Sequence, residues 1–173
     1  MKIATWNVNS LKARKEHVLR WLAENKPAVL MIQELKGTDF PTQDIESAGY
    51  HAAFVAQKAY NGVAILSRVA PEVVCDRLPG DDSDDQARYL EVTINGIRLI
   101  NIYAPNGNPV DSEKFLYKQA WLARLKNRLT SLRAGHVPFL VGGDFNIIPA
   151  DGDCHDPKAW SGDALFRPES RAA

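Results

Sequence analysis

Phe139-Leu-Val-Gly-Gly-Asp-Phe-Asn-Ile-Ile-Pro149 is the stretch on which the reading of this chain turns. Its apolar start, residues 139–141, reads as a buried strand. Two glycines follow, which let a backbone pass close to a neighbour or a ligand. Asp144 and Asn146 come next, and in an extended segment residues two apart point to the same side. A carboxylate and a carboxamide then project together from the end of a core strand. Asp, Asn and Gly also make ordinary turns, and this stretch alone leaves both readings open. The same pattern, an apolar run ending in oxygen donors, occurs twice more upstream and favours a site.

Residues 2–8 alternate, with Ile3 and Thr5 on one face and Ala4 and Trp6 on the other, and Asn7 and Asn9 close the strand. Ser10 is placed to cap a helix running to about residue 25, with Val18, Trp21 and Leu22 as its apolar stripe. Pro27 stops it. Residues 28–34 form a continuous apolar run ending in Gln33 and Glu34. Strand, helix and apolar strand together predict a βαβ unit with two parallel strands buried on both faces. Ligands gather beyond the carboxyl ends of strands in α/β sheets. If the strands ending at Asn7, Glu34 and Asp144 run the same way, four oxygen-bearing side chains, Asn146 included, meet at one rim.

Between these points the chain reads as a short helix over residues 41–47 closed by Gly49, and strands over 50–57, 62–67 and 73–78. The acidic run 80–85 reads as a solvated loop, since it lacks the spacing and closing Glu of an EF-hand calcium site. Strands 89–94 and 97–103 flank Asn95-Gly96, whose residues suit the positive φ of a type I′ hairpin turn. The second of them delivers Tyr103 just before Pro105. Residues 113–133 form the longest helix, started by Asp111 or Ser112 and ended by Gly135. Leu122, Leu125, Leu129 and Leu132 make its apolar stripe, and Lys118, Arg124, Lys126, Arg128 and Arg133 are placed on its solvated faces. The acid-rich segment 151–156 holds Cys154 and His155 without a metal-ligand spacing and reads as a loop. Residues 167–173 look like a helix start, and one isolated turn does not nucleate a helix. The chain is therefore expected to be cut within an element.

At 173 residues, 45% of them hydrophobic and 24% charged, the composition is that of one globular domain or part of one. The net charge of zero provides no global attraction for nucleic acid, so such a site needs a local basic patch or a metal. Cys75 and Cys154 make no disulfide framework and fit a reducing cytoplasm. There is no signal-peptide core and no apolar run of membrane-spanning length. Asn7, Glu34, Asp144 and Asn146 are hard oxygen donors without a matching His or Cys cluster, a set that suits Mg²⁺ or Mn²⁺ rather than zinc. Such an ion polarises a phosphoryl oxygen, and a neighbouring carboxylate can accept the proton of attacking water. Phosphodiester hydrolysis is the reaction these residues fit best.

Ile3-Ala-Thr-Trp-Asn-Val-Asn-Ser-Leu11, Ile32-Gln-Glu-Leu-Lys36, Asn61-Gly-Val-Ala-Ile-Leu-Ser67, Asn101-Ile-Tyr-Ala-Pro-Asn106 and Gly143-Asp-Phe-Asn-Ile147 together resemble the exodeoxyribonuclease III family of bacterial AP endonucleases, within the endonuclease/exonuclease/phosphatase superfamily. The resemblance runs in order through the whole chain. It implies a four-layer α/β sandwich and a Mg²⁺-dependent enzyme that cuts double-stranded DNA at abasic sites and trims 3′ ends, with no obligate protein partner. It implies Glu34 as the main metal ligand with Asn7 beside the metal, Tyr103 against the scissile phosphate and Asp144 as the acid/base group. Asn146 would orient the nucleophile, with Asp144 and Asn146 close to the metal as well. Arg88, Asn106 and Lys36 would contact phosphate or DNA. Leu35 departs from the threonine that many relatives carry. The family pattern also continues beyond this length, with an aromatic-rich segment and a late Asp-His pair, and none of His17, His51, His136 or His155 stands in such a motif. The resemblance thus covers one domain, residues 1–173, as the first two thirds of such an enzyme with the second sheet incomplete.

Overall fold

An apolar run without alternation needs cover on both faces. In the computed structural model, which describes residues 1–173, the run near residue 30 forms β2 (Val29–Gln33), buried throughout. It pairs in parallel with β1 (Ile3–Asn7), and α1 (Leu11–Asn25) makes the crossover, as the βαβ reading predicts; β1, however, is an edge strand and only partly buried, with Thr5 exposed. Ser10 accepts from the Ala13 amide at the start of α1, and Lys26 ends it in the left-handed conformation. Next come α2 (Thr42–Ser47), β3 (His51–Val55) and β4 (Val63–Ser67), which complete a four-stranded sheet in the order β1-β2-β4-β3.

The second sheet has the order β5-β6-β7-β8, from β5 (Glu72–Cys75), β6 (Tyr89–Ile94), β7 (Ile97–Tyr103) and β8 (Phe139–Asp144). The β6–β7 hairpin turns at Asn95 and Gly96, both at positive φ as that turn requires. Helix α3 (Glu113–Ala134) carries the chain from β7 to its parallel neighbour β8. Val29, Met31, Val63 and Ile65 of the first sheet pack against Leu90, Val92 and Leu99 of the second. Val18 and Leu22 of α1 and Ile45 of α2 cover the outer face of the first sheet. Trp121, Leu122, Leu125 and Leu132 of α3 cover that of the second. The result is the expected four-layer α/β sandwich, and no helix in it is long and apolar enough to cross a membrane.

One polar cluster interrupts the layer between the sheets. Asn101 is fully buried and donates from Nδ2 to the carbonyls of Ile32 and Ala64 at 2.9 and 2.8 Å. Gln33 donates to Asn101 Oδ1 at 2.7 Å and to Thr5 Oγ1 at 3.0 Å. These bonds fix β7 against β2 and β4, whereas apolar packing alone leaves lateral slip open. Asn101→Leu keeps the volume and strips two donors and one acceptor from this cluster. It is expected to lower the unfolding free energy by about 2–3 kcal/mol, read from denaturant midpoints; an unchanged midpoint would mean the cluster is dispensable.

Several expectations change. Strand β8 is an edge strand and only partly buried rather than the buried core strand expected, and Leu140 is exposed. β5 is shorter than residues 73–78, and Leu78 leaves the strand to join the core under α3. The acidic run is not fully solvated: Asp84 accepts from the Tyr117 hydroxyl at 3.0 Å and pairs with Arg124. The cations of α3 are not all on solvated faces either. Arg124 and Arg128 lie in ion pairs, and Lys118 is fully buried. Ser112 precedes α3 but makes no side-chain cap bond, and its hydroxyl donates to the Pro109 carbonyl instead. Residues 151–156 are not a plain loop: they contain a 3-10 turn (Asp151–Asp153), and Asp156 caps α4 (Pro157–Trp160). Finally, the single turn near the end does form, as α5 (Pro168–Arg171). Tertiary contacts hold this single turn: Ser170 donates to the Ala164 carbonyl, and Arg171 bonds the Ile148 carbonyl and stacks over Phe166.

Candidate active site

The carboxyl ends of β1, β2, β7 and β8 converge at one rim, but from two facing sheets rather than one. Along β1, β7 and β8, the registers Asn101↔Gly142 and Tyr103↔Asp144 and the strand period of two turn Asn7, Tyr103 and Asp144 inward. Glu34 follows Gln33, which faces inward, so simple alternation would turn Glu34 toward α1. A positive φ of 60° at Glu34 re-aims it into the rim, a conformation uncommon for a non-glycine residue. The two glycines of β8 serve close approach to neighbours. A Cβ on Gly143 would fall 2.1 Å from the Ile102 carbonyl oxygen, and one on Gly142 would fall 2.8 Å from Met31 Sδ.

Asn7 ties the site together. Its Nδ2 donates to Glu34 Oε1 and to Asp144 Oδ2, both at 2.8 Å, and its Oδ1 accepts from the Asn9 amide. A carboxamide N–H pair therefore stands between two carboxylates from different sheets. Lys36 pairs with the other Glu34 oxygen at 2.8 Å and also reaches Asn9 Oδ1. Burial pushes the Glu34 carboxyl up, but the bonds from Lys36, Asn7 and Tyr103 outweigh it and hold the group below the usual carboxylate range. Burial and then the Glu34 charge push the Tyr103 phenol up to about 12. Tyr103 therefore stays a neutral donor at physiological pH. Arg88 lies over its ring, 4.9 Å from the centroid, and donates to its carbonyl at 3.2 Å.

Asp144 and Asn146 share the site through a turn rather than an extended segment. Asn146 has a φ of 48°, and its amide donates to Asp144 Oδ1 at 2.9 Å. Its Nδ2 donates to the Ala104 carbonyl at 2.8 Å, and its Oδ1 lies 3.5 Å from Asn106 Nδ2. All eight residues singled out from the sequence thus lie on this rim or on the loops at its border. The four histidines are exposed and take no part.

Sequence reasoning missed Gln33, Asn101 and Lys118. The signals were present. Asn101 is a lone carboxamide in an apolar strand, and Lys118 stands three, four and seven residues before Trp121, Leu122 and Leu125, in line with their stripe. Lys118 donates to three backbone carbonyls of the border loops, and burial pushes its ammonium down to about 8.

No three His, Cys, Asp or Glu side chains gather as a metal-holding group. Two carboxylates with carboxamides beside them are a donor set of a different kind. It suits a hard cation that keeps several waters and shares substrate phosphate, as Mg²⁺ does. As arranged, Asn7 presents nitrogen to both carboxylates, so Glu34 and Asp144 are the oxygen donors that face one another across the site.

Residues 4–172 match the model of the endonuclease/exonuclease/phosphatase family. The chain belongs to that family. It is similar to exodeoxyribonuclease III of Haemophilus influenzae, 34% identical over 185 residues that cover 99% of this chain and 69% of the relative. Among solved structures it is similar to the 3′ phosphatase NExo from Neisseria bound to product DNA hairpin, with TM-score 0.95, 42% identity and 99% and 68% of the two chains covered. It is also similar to an AP endonuclease from Archaeoglobus fulgidus, with TM-score 0.93, 39% identity and coverage of 99% and 67%. This endonuclease/exonuclease/phosphatase chain therefore spans about two thirds of each of these relatives, and its rim of strand ends lies within the matched residues.

Proposed function

We propose that this chain hydrolyses phosphodiester bonds of double-stranded DNA with Mg²⁺, cutting at abasic sites and trimming 3′ ends, and that residues 1–173 act as one domain. The observation that carries the reading is the pair Glu34 and Asp144, brought from two sheets and bridged by one Asn7 amide group. Glu34 would hold the cation, and Asn7, Asp144 and Asn146 are the residues that would stand nearest it. When bound, the cation supplies Lewis-acid polarisation of a phosphoryl oxygen. Asp144 moves the proton between water and the oxygens of the phosphate ester, and Asn146 orients the attacking water. Tyr103, a neutral phenol at physiological pH, donates to the phosphate. Arg88 and Asn106 at the border contact the DNA backbone. Lys36, paired with Glu34 at the rim, contacts the DNA backbone as well.

The reading is supported by the DNA-bound relative and by the names of the other two. Its test is nicking of an abasic-site duplex by the purified chain. Turnover is expected with Mg²⁺, to stop with EDTA and to return when Mg²⁺ is restored in excess. Cleavage that persists in EDTA removes the metal from the reading. Activity confined to small phosphate monoesters points to a phosphatase on the same fold, and no cleavage of any phosphate ester by the folded chain points to a non-catalytic remnant.

A further inference from the structure

Lys118 is the only fully buried cation of the chain, and it forms no ion pair. It stands on the apolar stripe of α3, where a leucine or methionine would bury without a charge to desolvate. Burying a lone ammonium is costly unless each of its donors is matched. Here all three are: Nζ donates to the carbonyls of Asn146, Asn106 and Ala164 at 2.6, 3.1 and 3.2 Å. The acceptors come from three separate segments, namely the loop after β7, the turn after β8 and the approach to α5. No helix or strand holds any of these acceptor residues. The neighbouring backbone is shaped around the lysine, since a Cβ on Gly107 would fall 2.7 Å from Lys118 Cδ.

We propose that Lys118 is a positioning residue for the reaction. Its ammonium clamps the backbones of Asn106 and Asn146 so that their carboxamides face one another at the rim. Asn146 takes the left-handed backbone that asparagine tolerates well, and its carbonyl, turned toward α3, receives the shortest of the three bonds. The proposal rests on the DNA-hydrolysis reading for its effect on turnover, but the clamp itself is a separate statement about two asparagines.

The test compares Lys118→Met, which keeps the stem and removes the donors, with Lys118→Arg, which keeps charge and donors. The side-chain amide NMR signals of Asn106 and Asn146 are expected to shift and broaden in Lys118→Met, while those of Gln33 and Asn101 between the sheets stay in place. At saturating Mg²⁺, kcat on abasic duplex is expected to fall about a hundredfold, the scale of a small misplacement of reacting groups, with KM little changed. Lys118→Arg is expected to recover a large part of that loss. A folded Lys118→Met chain with wild-type kcat, or with the Asn106 and Asn146 signals unmoved, overturns the proposal. So does a general collapse that also moves Gln33 and Asn101, or a chain that does not fold, because Lys118 is then a core residue first. If the wild-type chain cleaves no DNA, the functional reading fails, and the amide signals still decide the clamp.

Discussion

Asp144→Asn is expected to lower kcat on abasic duplex by about 10²–10⁴-fold, the usual contribution of a positioned proton-transfer group. KM for DNA should stay close to its wild-type value. The substitution is nearly isosteric and keeps an oxygen able to accept from the Asn146 amide, so the turn at the end of β8 survives. What is lost is the negative charge, the ability to take a proton and the bond accepted from Asn7 Nδ2, which an amide NH₂ cannot accept. Glu34→Gln gives the contrast. Its loss should shrink as Mg²⁺ is raised, because the carboxylate it removes is the one proposed to hold the cation. The Asp144→Asn loss should largely remain at saturating Mg²⁺, because the proton acceptor is missing even when the cation is held. Titrating both variants with Mg²⁺ at saturating DNA separates the roles. An Asp144→Asn enzyme within tenfold of wild type, or one restored to wild-type kcat by Mg²⁺, would sink the assignment.

The strand ends of this site are legible in the sequence because each is a local event, an apolar run that stops at oxygen donors. Asn7, Glu34 and Asp144 are found that way without tertiary information. The arrangement that unites them is not local. Asn7 and Asp144 meet across two sheets, which no periodicity reports. The direction of Glu34 depends on one backbone angle in the left-handed region. The glycines of β8 are read as close-approach residues, but the partners, Ile102 and Met31, are set by packing.

The same limit explains the misplaced cations of α3. Helical period assigns a face, and charge suggests that the face is wet. Whether a buried carboxylate or a ring of carbonyls waits opposite that face is a property of another segment. Glu91 waits for Arg128, Asp84 for Arg124, and three loop carbonyls for Lys118. Leu140 fails in the opposite sense: its strand looks like a core strand, yet β8 ends the sheet and leaves that side chain exposed.

Glu91→Ala is expected to cost about 3–5 kcal/mol of stability, the range for breaking a buried ion pair by removing one partner. Glu91 is fully buried on β6. Arg128 donates to both of its oxygens at 3.0 and 2.7 Å, the Tyr89 hydroxyl donates at 2.6 Å, and Arg98 pairs with it. One carboxylate therefore fastens α3 to the second sheet, and alanine would leave two guanidinium groups and a phenol facing an empty place. Burial pushes the Glu91 carboxyl up, but Arg128, Tyr89 and Arg98 outweigh it and hold it below the ordinary value of 4.5. A depressed carboxyl contributes stability that is complete above its unfolded value and is lost as pH falls through its folded value. Denaturant midpoints of wild type and variant should therefore differ most at neutral pH and converge below pH 4.5. A gap under about 1 kcal/mol, the level of an exposed ion pair, or a gap unchanged on acidification, would show that the carboxylate does not bear that charge in the folded state. Glu91 bonds none of the rim residues, so the folded fraction of the variant should keep wild-type kcat. That separates the fastening of α3 from the clamp at Lys118, which lies on the same helix and acts on the site.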